Sequence, residues 1–208
     1  ANGNPVYAAE GPTGVGKAIT FDGTGDYFLT AADVDALDAG TGALVLEAWV
    51  KITATPSGNQ EIVAKYGSVG WGLYVNSSAQ AGVLLGDGTT TCTTASAVTA
   101  LSLNAWHLIR ATWAGGGTAP SIAVDGGTAL ACGSNVANTI SNANAVAIGA
   151  LPNATNQFAG SIADVRVTIG NNTNDLSLKT KIPVPSFFVS GKLPAKQKPG
   201  NCSDSGVA

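Results

Sequence analysis

The chain has no methionine, one histidine, three cysteines and only three glutamates among its 208 residues. Charged residues make up 11% of it, and aromatic residues 6%. Each scarcity closes a route. One histidine and three dispersed cysteines do not supply a transition-metal site. Cys92, Cys132 and Cys202 fit no zinc or redox spacing, so one disulfide with one free thiol and three idle thiols both remain open. Cys92 and Cys132 lie in β-like segments and form the pair to test. No apolar run reaches transmembrane length, so no membrane insertion is expected. Low charge with a mean hydropathy of +0.21 excludes a disordered chain. The few cations form no basic stripe, which argues against nucleic acid. "GPTGVGK" lacks the spacing of a phosphate loop and is followed by Ala18.

What remains is rich in Gly, Ala, Thr, Asn and Val, with turn residues recurring throughout. That texture specifies short strands rather than helices. "KAITFDGTGDYFLTA" reads as strand, tight turn, strand. In "ALVLEAWVKI", Leu44, Leu46, Ala48 and Val50 share one face, and Val45, Glu47, Trp49 and Lys51 the other. "EIVAKYG" and "WGLYVN" form a hairpin across "GSVG". "AGVLLGDG", "LNAWHLIRATW", "SIAVDGG", "NAVAIGA" and "GSIADVRVTI" complete the set. Residues 31–40 are the best short helical turn. Strands at this spacing predict an all-β, antiparallel two-sheet sandwich. Asn-x-Ser/Thr triplets at Asn76, Asn153, Asn171 and Asn201 are no more than this composition generates by chance.

The texture changes towards the C-terminus. Residues 176–208 hold four of the nine prolines, and five Lys against one Asp, a net of +4. Residues 1–175 hold five Lys or Arg against twelve Asp or Glu, a net of −7. The expected organisation is therefore an N-terminal segment (1–16), a β domain (17–170) and an extended basic arm (171–208). The arm carries Lys179, Lys181, Phe187, Phe188, Lys192, Lys196 and Lys198, and is expected to dock on a neighbour or on its own body.

Seven segments in order, "ITFDGTGDYF", "LVLEAWVK", "EIVAKYGSVGWGLYV", "NAWHLIRATW", "SIAVDGG", "VAIGA" and "FAGSIADVRV", resemble the laminin-G-like, concanavalin A-like jelly roll of bacterial and phage proteins. The match covers about residues 17–168. The resemblance implies two antiparallel sheets packed face to face, and members that bind glycans, bind proteins or bridge subunits. It also implies that Trp49 and Trp106 are core rings and that His107 serves packing. A structural calcium is implied where the first hairpin meets the last strand, held by Asp22, Asp26 and Asp164.

Catalysis fails on the residues. Retaining glycoside hydrolysis needs two carboxylates about 5–5.5 Å apart. None of Glu10, Glu47 and Glu61 has an acidic neighbour two residues on, and Asp33/Asp35 and Asp22/Asp26 lie in turn segments. A Ser-His-Asp system would rest on His107 alone, with no G-x-S-x-G elbow. The expectation is a non-enzymatic protein. Trp71, Tyr74 and Trp113, with Asn76 and Asp87 as polar partners, are the candidates for a glycan platform. The favoured reading is a structural surface protein, a virion decoration or coat subunit that homo-oligomerises through the arm. The alternative is a carbohydrate-binding or adhesion module, and the third a glycoside hydrolase. Each places the protein outside the cell or on a virion surface.

Overall fold

The computed structural model describes residues 1–8, 11–12, 16–93 and 99–170, and the backbone of 188–190. The strands are β1 (Val6–Ala8), β2 (Ala18–Asp22), β3 (Phe28–Asp33), β4 (Leu44–Lys51), β5 (Gln60–Tyr66), β6 (Val69–Val75) and β7 (Ala81–Asp87). They continue as β8 (Thr91–Thr93), β9 (His107–Trp113), β10 (Ser121–Val124), β11 (Leu130–Ala131), β12 (Ala145–Ile148), β13 (Ala159–Ile169) and β14 (Phe188–Ser190). An eight-stranded sheet runs β1-β2-β13-β4-β9-β10-β11, with β14 beside β13, and a six-stranded sheet runs β3-β12-β5-β6-β7-β8. The expected all-β sandwich is present, and a single 3-10 turn at Asp35–Leu37 stands where the sequence places its helical turn.

The core is the sum of the inward faces. In β4, Leu44, Leu46, Ala48 and Val50 are buried, while Glu47, Trp49 and Lys51 on the other face are half-buried. In β9, Ile109, Ala111 and Trp113 point inward against Leu73, Val83 and Leu85 of the facing sheet. Each fully buried Leu, Ile or Val contributes about 1.5–3 kcal/mol. Phe21 anchors one end of this core, meeting Phe28 and Phe158 edge to face with ring centroids 5.9 and 6.4 Å apart.

One connection departs from the sequence reading. β2 and β3 are strands, but "DGTGD" does not fold them into a hairpin. β2 pairs with β1 and β13, whereas β3 pairs with β12 in the other sheet. Gly23 and Gly25, with φ of 82° and 80°, let the chain cross between sheets. "GSVG" does close a hairpin, with Tyr66 opposite Gly70.

Two ties hold the sheets' margins. Cys92 of β8 and Cys132 just beyond β11 form a disulfide with Cα atoms 6.2 Å apart, joining the two sheet edges on one side. Fully buried Lys65 of β5 holds the loop after β3. Its Nζ lies 2.7 Å from Asp33 Oδ1 and 2.6 Å from Asp38 Oδ1, and it donates to the Asn142 carbonyl. The adjacent Trp71 indole donates to Leu37 O at 2.9 Å.

Of the arm, only a backbone segment falls within the described residues. Phe188–Ser190 pairs parallel with Arg166–Thr168 of β13, on its own body. Lys179, Lys181, Phe187, Lys192, Lys196 and Lys198, and the side chain of Phe188, lie outside the described residues.

Opening the disulfide releases a loop with a sequence separation of 40, which costs about 4 kcal/mol of stability by loop-closure entropy. Denaturant titration of the Cys92→Ser, Cys132→Ser double variant reads this as a lowered midpoint at an unchanged native fold. Lys65→Met leaves two carboxylates facing each other without their cation and costs about 3 kcal/mol, measurable in the same titration.

Candidate carbohydrate-binding surface

Trp71 and Trp113, 0% and 3% exposed, sit in the core with their indole N–H groups bound to Leu37 O and Thr118 O. Tyr74, 4% exposed, lies on the outer side of the six-stranded sheet, opposite Glu61. None of the three offers a ring face to solvent, so the expected platform does not form. Their polar partners are also committed. Asn76 closes an Asx turn, accepting from Ser78 N and Gln80 N and donating to Gln80 Oε1. Asp87 staples two loops: Oδ1 accepts from Thr89 N and Thr90 N, and Oδ2 from Ala137 N and Asn138 N. These backbone donors hold its carboxyl well below the usual carboxylate range.

The expected calcium site also fails the fit. Asp26 accepts from Asn4 N at 2.7 Å and Asp22 N at 3.1 Å, and Asp22 accepts from Thr24 N. Asp164 pairs with Arg166 at 2.8 Å. Asp22 lies opposite Ala159, so Asp164 stands five residues further along β13, about 16 Å away at strand rise. The carboxylate trio the described residues do bring together is Asp33, Asp35 and Asp38. The Lys65 ammonium already lies against two of its members.

His107 sits at the mouth of a cleft of about 350 Å³ lined by Leu101, Ile122, Val124 and Leu130. Its Nδ1 lies 2.7 Å from Asp125 Oδ2, and its Nε2 faces Ser102 Oγ at 2.9 Å. The order of groups is that of a hydrolase relay, but the detail is that of a clasp. Ser102 N also donates to the same Nε2 at 3.1 Å, so the ring nitrogen holds one residue of the loop by its amide and its hydroxyl. Asp125 Oδ1 accepts from Leu108 N, tying the β10 end back to β9.

The aromatic surface lies on the outer face of the eight-stranded sheet. Both rings expected in the core are there: Trp49 and Trp106 are half-buried, not enclosed. Alternation is the reason. Trp49 shares a face with Glu47 and Lys51, and Trp106 the face of Leu108 and Arg110. Trp49 stands opposite Leu108 on β9 and Ala163 on β13, and Val50 opposite His107. Trp106 immediately precedes β9, and continuing the ladder by one residue puts it diagonal to Trp49 on the same face. Lys51 Nζ lies 5.3 Å from the Trp106 ring centroid. Hydroxyls border the rings: Lys51 is opposite Ser161, whose Oγ is 3.0 Å from Thr20 Oγ1. Arg110 and Glu47, 3.3 Å apart, close the other side. The sequence carried this signal in the "LEAWVK" alternation, and the family expectation for the two tryptophans overrode it.

Residues 22–169 match the family model of the concanavalin A-like lectin/glucanases superfamily, and the chain belongs to that superfamily. Solved structures share its fold. Domain 4 of a GH43 extracellular arabinanase from Geobacillus stearothermophilus, in complex with arabinotriose, is 16% identical, with a TM-score of 0.55 over 79% of this chain and 75% of that one. A heptameric SAP-like pentraxin from Limulus polyphemus is 16% identical, with a TM-score of 0.54 over 73% and 75%. Mouse laminin alpha1 chain domains LG4-5 are 17% identical, with a TM-score of 0.53 over 71% of this chain and 40% of that one. No curated protein matches the sequence. The disulfide and the laminin-G-like fold fit an extracellular protein.

On the opposite sheet, Glu61 is 1% exposed and its Oε2 makes no hydrogen bond among the described residues. Burial pushes its carboxyl up to about 8, against a smaller lowering by the Asn156 side chain. Folded protein thus holds a proton that unfolded protein releases near pH 4.5. The associated stability is complete below pH 4.5 and is lost as pH rises towards 8. Glu61→Gln should flatten that decline and raise stability at pH 8 by a few kcal/mol, read as denaturation midpoints of both proteins between pH 4 and 9.

Proposed function

We propose that this chain is a non-enzymatic carbohydrate-binding or adhesion module that takes glycans on the Trp49–Trp106 face. The half-buried pair of indoles on a rigid sheet, bordered by hydroxyl and charged side chains, carries the reading. Sugars present C–H faces that stack on such rings, and neighbouring polar groups fix their hydroxyls. The superfamily's lectins and the arabinotriose-bound neighbour support it. The comparisons favour this reading over a virion coat subunit. The one described arm segment pairs with its own β13, which gives no support to an intersubunit bridge.

The placement of the two glutamates among the described residues supports binding without hydrolysis. Glu47 lies on the eight-stranded sheet, paired with Arg110, and Glu61 lies buried on the six-stranded sheet. They stand on different sheets, so they cannot flank one glycosidic bond.

A glycan array identifies ligands, and titration calorimetry on a hit ranks variants. Trp49→Ala and Trp106→Ala should each weaken binding about five-fold, near 1 kcal/mol. Trp71→Phe should leave affinity unchanged, because that ring is enclosed in the core. Equal affinity in wild type and both platform variants would reject this face.

A further inference from the structure

We infer that the platform selects glycans bearing a carboxylate, with Lys51 as its ionic partner; this rests on the Trp49–Trp106 face being the binding surface. The described residues hold five cations, and three face carboxylates: Lys65 with Asp33 and Asp38, Arg110 with Glu47, and Arg166 with Asp164. Lys17 is exposed ahead of β2. Lys51 alone is half-buried on a sheet face without a carboxylate within ion-pair distance among the described residues, and its ammonium rests over the Trp106 ring.

That placement is informative because the body around it is acidic, with a net charge of −7 over residues 1–175. Ten acidic residues lie among the described residues, yet none of these pairs with this cation. A partly desolvated ammonium held only by a ring face retains capacity for an anion. A sugar stacked on Trp49 would lie two residues along β4 from Lys51, about 7 Å at strand rise and within reach of a ring carboxylate. Half-buried Thr20 Oγ1, hydrogen-bonded to buried Ser161 Oγ opposite Lys51, adds a neutral polar group for the second carboxylate oxygen or an adjacent hydroxyl. The acidic body sets the limit of the class. It repels a dense polyanion at long range while leaving a short-range pair intact, so isolated carboxylates on an otherwise neutral chain fit best.

The matched probes are a glucuronoxylan oligosaccharide with one uronate and the same oligosaccharide with its carboxyl reduced to hydroxymethyl. Calorimetric titration of the full chain should show the acidic probe bound roughly tenfold more tightly at low salt, with the preference shrinking as salt rises. Lys51→Gln should remove the preference and Lys51→Arg keep it, each at an unchanged thermal midpoint. Equal binding of both probes, or a preference surviving in Lys51→Gln, overturns the inference. If both probes bind equally and Trp49→Ala weakens both, the binding face stands and only the acidic selectivity falls. If Trp49→Ala changes neither, or neither probe binds wild type, the inference falls together with its surface.

Discussion

The register of β4 against β9 and β13 fixes everything else in the molecule. Leu46 stands opposite Ala111 and Val167, and Trp49 opposite Leu108 and Ala163. Because side chains alternate at every residue, this pairing sorts two strands at once into an inner face that fills the sandwich and an outer face that bears tryptophan. A slip of one residue would drive Glu47 and Lys51 into the core and expose Leu46 and Val50. The burial of four β4 side chains therefore specifies the platform as firmly as it specifies the core.

The margins are held by other means, since a sandwich has no covalent closure of its own. On the β8–β11 side the closure is the Cys92–Cys132 bond. On the β2–β3 side the chain itself crosses, and Asp26 gathers Asn4 N and Asp22 N around the crossing. At one end Lys65 and Trp71, adjacent on β5 and β6, both reach into the loop that carries Asp35–Leu37. Two of the three carboxylates in that cluster, Asp33 and Asp38, are explained by the buried ammonium they pair with.

The fold was legible because alternation is a local property. "ALVLEAWVKI" and "LNAWHLIRATW" displayed their inner faces without any knowledge of partners. The β2–β3 crossing was not legible, because "DGTGD" has the composition of a hairpin turn and only distant pairing shows that the strands part. The glycan platform was misplaced for a different reason. Trp71 and Trp113 sit beside glycine-rich turns in the sequence, but tertiary packing encloses them. The family resemblance implies core positions for Trp49 and Trp106, although alternation along β4 and into β9 places both outward. The calcium trio failed on distance along β13, which no local motif encodes. Glu61 stayed invisible as a titrating group because its burial arises from neighbours on other strands.

The two outer faces also differ in relief, and this decides where a ligand can bind. On the six-stranded sheet, glycines stand among the outward positions: Gly72 faces Ala64, and Gly70 faces Tyr66. Added bulk there would press on neighbouring side chains. A Cβ on Gly72 would lie 3.1 Å from Glu61 Oε2, and one on Gly86 3.1 Å from the Tyr66 ring. Those glycines exist to admit neighbouring side chains, and the result is a closed surface around a protonated carboxyl. The eight-stranded sheet does the reverse. Its outward positions are large and amphipathic, and they leave ring faces, hydroxyls and a carboxylate-free ammonium beside one another on a surface that the opposite face's hydrophobic packing holds rigid. A rigid platform would bind without the ordering cost a loop incurs, which favours the sheet face over the turns around it for the recognition proposed above.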